Sequence, residues 1–212
     1  MNTLLKKLAI GLALGWSMAG AAMATVVTSP TFSLTGGSHL TLNTNRANAF
    51  DVAVPGFDLS HARFGSFLNL SGAADLTFTF VGKEAAYNNV FSSISFRPFD
   101  VESFSNATSV PGVSSFSFSD VNAGKLNFSF FSQGNLGNAF GNGDRRVGMV
   151  LSSDKQSALL MFNDKAKDHD YDDMVIKVSI MTPVPEPETY ALMLGGLAVL
   201  GAVARRRKAQ KP

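Results

Sequence analysis

Phe78-Thr79-Phe80 alternates large apolar side chains with a small polar one, and the pattern returns at Phe116-Ser117-Phe118 and Phe128-Ser129-Phe130. Successive side chains of a β-strand point to opposite faces of its sheet, so a period of two residues predicts strands with one buried face. We therefore expect most of the 18 phenylalanines to form a core between sheets. A phenylalanine-lined ligand groove is the alternative.

Further strands are predicted on both sides of these segments, at Thr31–Thr35, His39–Leu42, Val90–Phe96, Arg146–Leu151, Ala158–Phe162 and Met174–Met181. Glycine, asparagine and aspartate clusters between them favour turns, for example Gly36-Gly37 and Gly141-Asn142-Gly143-Asp144. Short strands separated by such turns predict one all-β domain, a β-sandwich or jelly-roll-like ectodomain over residues 25–182. One short helical turn is expected near Phe57 to Phe64.

The N-terminus has the order of a secretory signal peptide. Lys6 and Lys7 form a positive region, residues 8–15 an apolar run, and Ala22-Met23-Ala24 a small-residue cleavage site. We therefore predict a signal-peptide helix at residues 1–24, recognised by the Sec translocon and cleaved after Ala24.

The C-terminus combines three features in a fixed order: Pro183-Val184-Pro185-Glu186-Pro187-Glu188, an uncharged run from Tyr190 to Ala204, and Arg205-Arg206-Arg207-Lys208. The alternating prolines remove backbone donors and favour an exposed, extended chain outside any sheet or helix. The uncharged run predicts a short transmembrane helix with the basic end on the cytoplasmic side.

This tail resembles the PEP-CTERM sorting signal of Gram-negative bacteria over residues 183–212. The match lies in Pro185, Glu186 and Pro187, in the Gly/Ala/Leu-rich helix, and in Arg205, Arg206 and Arg207. The resemblance implies recognition by an exosortase, transient passage of residues 190–204 through the inner membrane, export, and placement at the cell surface or outside the cell. A permanent single-pass anchor with a proline-rich stem is the alternative interpretation.

Charge and cysteine content describe the domain between the two terminal signals. The whole chain has a net charge of +2, but residues 25–182 contain eleven basic and fourteen acidic side chains, a net charge of −3. No basic run interrupts this domain, so we expect no nucleic-acid partner. Because the chain has no cysteine, the stability of the exported domain must come from its core, with or without a metal ion.

An acidic segment near the end of the domain is the candidate metal site. It runs from Asn163 to Asp173, and its candidate ligands for calcium are Asp168, Asp170, Asp172 and Asp173. Closely spaced carboxylates repel one another unless water or a cation neutralises them, and calcium prefers such oxygen ligands. Asp144 is a further candidate ligand. An EF-hand is excluded by pattern, and the alternative is a solvated turn whose aspartates cap backbone donors.

Catalytic motifs are absent from the sequence: it has no cysteine nucleophile, no G-x-S-x-G and no H-E-x-x-H. We expect a non-enzymatic, exported, exosortase-sorted protein with a structural or adhesive role in exopolysaccharide or biofilm. One alternative is a calcium-dependent carbohydrate-binding module, and another is a hydrolase acting on exopolysaccharide.

Overall fold

The computed structural model describes residues 29–42, 54–85, 87–96, 99–135, 138–165, 170–181 and 187–209. Within these ranges the chain forms twelve strands followed by one α-helix, α1 (Pro187–Ala209). The strands are β1 (Phe32–His39), β2 (Arg63–Leu70), β3 (Ala74–Gly82), β4 (Asn89–Phe96), β5 (Phe99–Ser105), β6 (Ser115–Val121), β7 (Gly124–Lys125), β8 (Phe128–Ser132), β9 (Ala139–Gly141), β10 (Val147–Leu151), β11 (Ser157–Phe162) and β12 (Met174–Ile180). The prediction of an all-β domain is confirmed.

The strands belong to two antiparallel sheets. The large sheet has eight strands in the order β1-β2-β10-β11-β12-β3-β6, with β7 paired to β2, and the small sheet has four in the order β5-β4-β8-β9. Within the large sheet, Val147 of β10 lies opposite Phe162 of β11, and Phe162 also lies opposite Met174 of β12. The start of β10, the end of β11 and the start of β12 therefore meet at one end of the sheet.

The main core lies between the two sheets and consists largely of phenylalanine. Phe130 of the small sheet stacks on Phe162 of the large sheet, with ring centroids 4.9 Å apart and an interplanar angle of 4°. Phe78 of the large sheet lies 5.7 Å from Phe91 of the small sheet. These four side chains are at most 1 % exposed. The alternation of apolar and polar residues thus places phenylalanines where the sheets face each other.

The central strands of the large sheet are buried on both faces. Val150, Leu159, Met161 and Val175 point away from the main core into a second apolar cluster, which also contains Leu40 and Tyr171. The apolar run Ala158-Leu-Leu-Met-Phe162 carries no alternation because neither of its faces meets water. This second core is a feature that the period-two pattern did not predict.

One detail of the predicted strand boundaries was wrong. Gly36-Gly37 is not a turn between strands, because β1 continues through both residues, each with φ of 70°. The Arg63 side chain donates hydrogen bonds to both glycine carbonyls and holds the segment against β2. A Cβ on Gly37 would lie 2.6 Å from the Phe64 carbonyl oxygen, so only glycine fits there.

The helical turn expected near Phe57 to Phe64 is a short 3-10 helix at Leu59–His61. Its N-cap, Asp58, accepts hydrogen bonds from the backbone N–H of Ser60 at 3.0 Å and from the Ser60 hydroxyl at 2.6 Å. These bonds hold the pKa of the exposed Asp58 carboxyl below its usual 3.8. His61 Nδ1 lies 3.0 Å from the same carboxylate. Since the serine hydroxyl bonds to the carboxylate, the three side chains form a helix cap.

Candidate functional site

Six buried asparagine and aspartate residues lie near one end of the two sheets, and we call them the Asn/Asp cluster: Asn89, Asn106, Asn163, Asp164, Asp172 and Asp173. Asn89 begins β4 and Asn106 follows β5, both in the small sheet. The other members lie between the end of β11 and the start of β12, in the large sheet. The cluster therefore closes one end of the space between the sheets.

Hydrogen bonds within the Asn/Asp cluster connect the two sheets. The Asn89 side-chain amide donates to Asp164 Oδ2 at 2.9 Å, although the two residues are 75 positions apart in sequence. Asp173 Oδ2 accepts the backbone N–H of Asp164 at 2.7 Å. Asn106 Oδ1 accepts the backbone N–H of Asn89 at 3.0 Å. A buried carboxylate is stable only with such donors, so these bonds are required by the burial.

Arg146 contacts the same cluster through its guanidinium group. Its guanidinium donates to the backbone carbonyl of Asp164 at 2.9 Å and lies 4.8 Å from the centroid of the Phe140 ring. The backbone N–H of Arg146 donates to Asp144 Oδ1 at 2.8 Å. Asp144, the additional candidate calcium ligand, therefore caps a turn just before β10.

The predicted calcium ligands occupy different environments. Asp172 and Asp173 are buried at 1 % and 3 % exposure, whereas Asp170 is half-buried. Asp168 lies outside the described residues. In the part of the chain that the structure describes, no group of three or more His, Cys, Asp or Glu side chains is arranged to hold a metal ion. A calcium site built from these aspartates stays a prediction.

Tyr171 separates Asp170 from the buried pair and fixes the path of the loop. Its φ of 58° is unusual for a residue with a side chain, and its ring is buried at 3 % exposure. The hydroxyl donates to the carbonyl oxygen of Arg145 at 2.7 Å. Burial raises the pKa of Tyr171 above its usual 10.0, and the nearby Arg145 opposes the rise. The phenol therefore stays protonated as a donor, and it turns Asp172 and Asp173 inward.

The residues of the C-terminal tail form a helix that begins earlier than expected. Pro187 is the first residue of α1, which contradicts the prediction that the prolines stay outside any helix. The first turn of a helix accepts proline because the backbone N–H that proline lacks would have no intrahelical partner there. The helix continues through Arg205, Arg206 and Arg207 to Ala209, and the Arg205 side chain is exposed. Pro185 and Glu186 lie outside the described residues, as do Ala22 and Ala24.

The length and composition of α1 bear on the predicted transmembrane segment. None of the helices in the described ranges is long and apolar enough to cross a membrane. The uncharged run from Tyr190 to Ala204 is shorter than the roughly 20 apolar residues of a typical spanning helix. The prediction of a transmembrane helix is therefore not supported by the structure.

Comparison with known protein families gives a match in this tail. Residues 183–208 match the family described as the PEP-CTERM protein-sorting motif. The match contains Pro185, Glu186 and Pro187 and the three consecutive arginines. No curated protein and no solved structure matches the chain. The chain is thus an exosortase-targeted, exported protein that carries a PEP-CTERM sorting motif at its C-terminal end.

Proposed function

We propose that this chain is a structural or adhesive protein of the cell surface or extracellular matrix, delivered there by exosortase. The observation that carries the proposal is the sorting motif at residues 183–208, which follows a β-rich domain of substantial size. Secretion after signal-peptide cleavage at Ala24 leaves the two-sheet domain, a β-sandwich scaffold, as the working part. In this proposal the domain acts within exopolysaccharide or biofilm.

The helix of the sorting signal has the surface that a processing enzyme needs. Leu192, Leu194 and Leu197 are 78 %, 63 % and 58 % exposed, and Arg205 follows at the basic end. Exposed leucines offer exosortase an apolar contact. The charged end fixes the orientation of the helix relative to that enzyme. Pro185 and Glu186 immediately precede the helix, where the enzyme reads the motif.

An adhesive role is supported by the outer face of the small sheet. Ile94, Val101 and Phe131 point outward from neighbouring strands, and they are 36 %, 48 % and 41 % exposed. Ser92 and Ser103 lie opposite each other on the same face. A sheet face of exposed apolar residues and serines is typical of a surface that makes contacts.

The test of this proposal is the mass of the protein recovered from outside the cell. In a host that contains exosortase, the wild-type chain is expected to lose residues 1–24 and the α1 helix. Glu186→Gln changes the centre of the motif and should leave the tail attached, since the enzyme no longer recognises it. Glu188→Gln is the matched control, with the same chemical change two residues away, and should be processed normally. Intact-mass spectrometry measures both outcomes.

Recovery of the wild-type chain in the cytosol, or outside the cell with every residue through Pro212, would contradict the proposal. Equal processing of the two glutamate variants would show that exosortase does not need the Glu186 carboxylate for recognition.

A calcium-dependent carbohydrate-binding module is the second candidate, and one buried atom favours it. Asn89 Oδ1 is fully buried and accepts no hydrogen bond from the described residues, and it lies on the amide that contacts Asp164. An amide oxygen beside carboxylates is a ligand type that calcium accepts. We expect EDTA to lower the midpoint of thermal unfolding by several degrees if calcium is bound, because a bound ion stabilises only the folded state. An unchanged midpoint in calorimetry would count against a structural ion.

A further inference from the structure

A groove of about 520 Å³ opens beside the Asn/Asp cluster, at the end of the large sheet where β10 starts and β11 ends. This volume lies in the range of ligand sites in proteins. Its lining combines apolar and cationic side chains, Leu40, Phe64, Tyr171, Arg145, Arg146 and Lys165. The described residues that line it include no carboxylate. The groove is therefore an apolar surface bordered by positive charge.

The strand pairing brings these residues together. Arg145 and Arg146 immediately precede β10, while Lys165 follows the end of β11 by three residues. Because Val147 lies opposite Phe162, residues just outside these two ends are neighbours. Tyr171 reaches the same place just before β12, and Phe64 of β2 lies opposite Gly148 of β10. The groove therefore lies at the paired ends of β10 and β11.

Two aromatic rings line the groove, the half-buried Phe64 and the buried Tyr171. The Phe64 and Tyr171 rings lie 6.4 Å apart at an interplanar angle of 37°. The Arg145 guanidinium carbon lies 5.6 Å from the Phe64 ring centroid, and Lys165 Nζ lies 5.4 Å from that of Tyr87. Rings beside exposed cations suit a ligand that has an apolar face and a negative group.

The described residues contain an ion pair between His61 and Asp58, and they contain none that involves the cations of the groove. Arg145 and Lys165 are exposed. Of the nearby carboxylates, Asp164 and Asp173 are buried and accept hydrogen bonds from Asn89 and from the Asp164 backbone, and the half-buried Asp144 accepts the backbone N–H of Arg146. The exposed cations thus face solvent in a domain whose net charge is −3 over residues 25–182. A local positive site on an acidic domain selects an anion.

We propose that this groove binds the carboxylate-bearing sugar units of an acidic polysaccharide. The carboxylate contacts Arg145 and Lys165, and the C–H face of the sugar ring packs on Phe64. Arg146 keeps the Asp164 carbonyl as its partner and supports the wall of the groove. The proposal rests on the surface or matrix role given above, and it names the chemical class of the matrix partner.

The test is titration calorimetry of the full chain with trigalacturonic acid at low salt. The matched ligand is the methyl ester of the same trisaccharide, which keeps the ring faces and lacks the charge. We expect the ester to bind at least about tenfold more weakly, since charge-assisted hydrogen bonds are lost. The double variant Arg145→Gln with Lys165→Gln should weaken binding of the acid by a similar factor. Binding should also weaken as salt is added.

A charge-matched control separates the groove from the overall charge of the domain. Lys83→Gln with Lys125→Gln removes two exposed cations that do not line the groove and should leave affinity within about twofold. Circular dichroism checks that both double variants fold. Absence of binding by the wild-type chain, equal affinity for acid and ester, or equal loss in the control variant would overturn the proposal. If monomeric galacturonate binds as tightly as the trimer, the groove is a site for small organic acids, and the proposal of a polysaccharide ligand is overturned.

Failure of this inference is distinguishable from failure of the proposed function. If the wild-type chain is exported and processed yet binds no acidic sugar, only the groove assignment is lost. If the chain binds the trisaccharide in the calorimeter yet stays in the cytosol, only the surface role is lost.

Discussion

Replacing Phe130 with alanine is expected to lower the free energy of unfolding by about 3–5 kcal/mol. The side chain is fully buried, stacks on Phe162 at 4.9 Å, and meets the edge of Phe91 at 5.0 Å. Alanine removes both the buried area and the ring contacts that join the two sheets, and it leaves a cavity. Urea denaturation followed by circular dichroism measures the change.

The adjacent residue provides the control for this prediction. Phe131 belongs to the same strand but points outward, with 41 % of its side chain exposed. Phe131→Ala should cost less than about 1 kcal/mol because little area leaves the core. Equal losses for the two substitutions would mean that the side chains of β8 do not alternate between core and solvent as described.

Replacing Asp173 with alanine is expected to cost about 2–3 kcal/mol. Asp173 is 3 % exposed, and its Oδ2 accepts the backbone N–H of Asp164 at 2.7 Å. Alanine leaves that buried N–H without its acceptor where water does not replace it. The loss should appear as a lower midpoint in urea denaturation.

Asp173→Asn tests whether hydrogen bonding or charge is responsible. Asparagine keeps an oxygen that can accept the Asp164 N–H, so the expected cost is only about 1 kcal/mol or less. A large loss from both substitutions would show that the negative charge of Asp173 is needed, as it would be with a bound cation. Repeating the measurement in EDTA then connects this result to the calcium hypothesis.

The acidic segment illustrates what the sequence alone reveals about the candidate site. Its five carboxylates between Asp164 and Asp173 were recognised as a feature that needs neutralisation or hydrogen bonding. The pattern did not reveal that Asp164, Asp172 and Asp173 are buried, because the donor to the Asp164 carboxylate comes from a distant part of the chain. Asn89 lies on the other sheet. A pairing across 75 residues leaves no local signal in the chain.

The groove beside this segment was missed for the same reason. Arg145-Arg146 and Lys165 are too few and too far apart in sequence to form a basic run. Only the antiparallel pairing of β10 with β11 places them at one sheet end. A signal was available in the positions of these cations, at the start of the predicted strand Arg146–Leu151 and shortly after the predicted strand Ala158–Phe162.

The sequence by itself determined the β-rich class of the domain and the sorting signal at its end. Both depend on local patterns: the alternation around Phe78-Thr79-Phe80, and the contiguous motif that ends in Arg205-Arg206-Arg207. Tertiary structure alone decided which strands are buried on both faces and which aspartates are inside. It also decided which cations share a groove. The physical reason is that burial and electrostatic environment arise from contacts between distant segments, and these contacts exist only after the two sheets have packed.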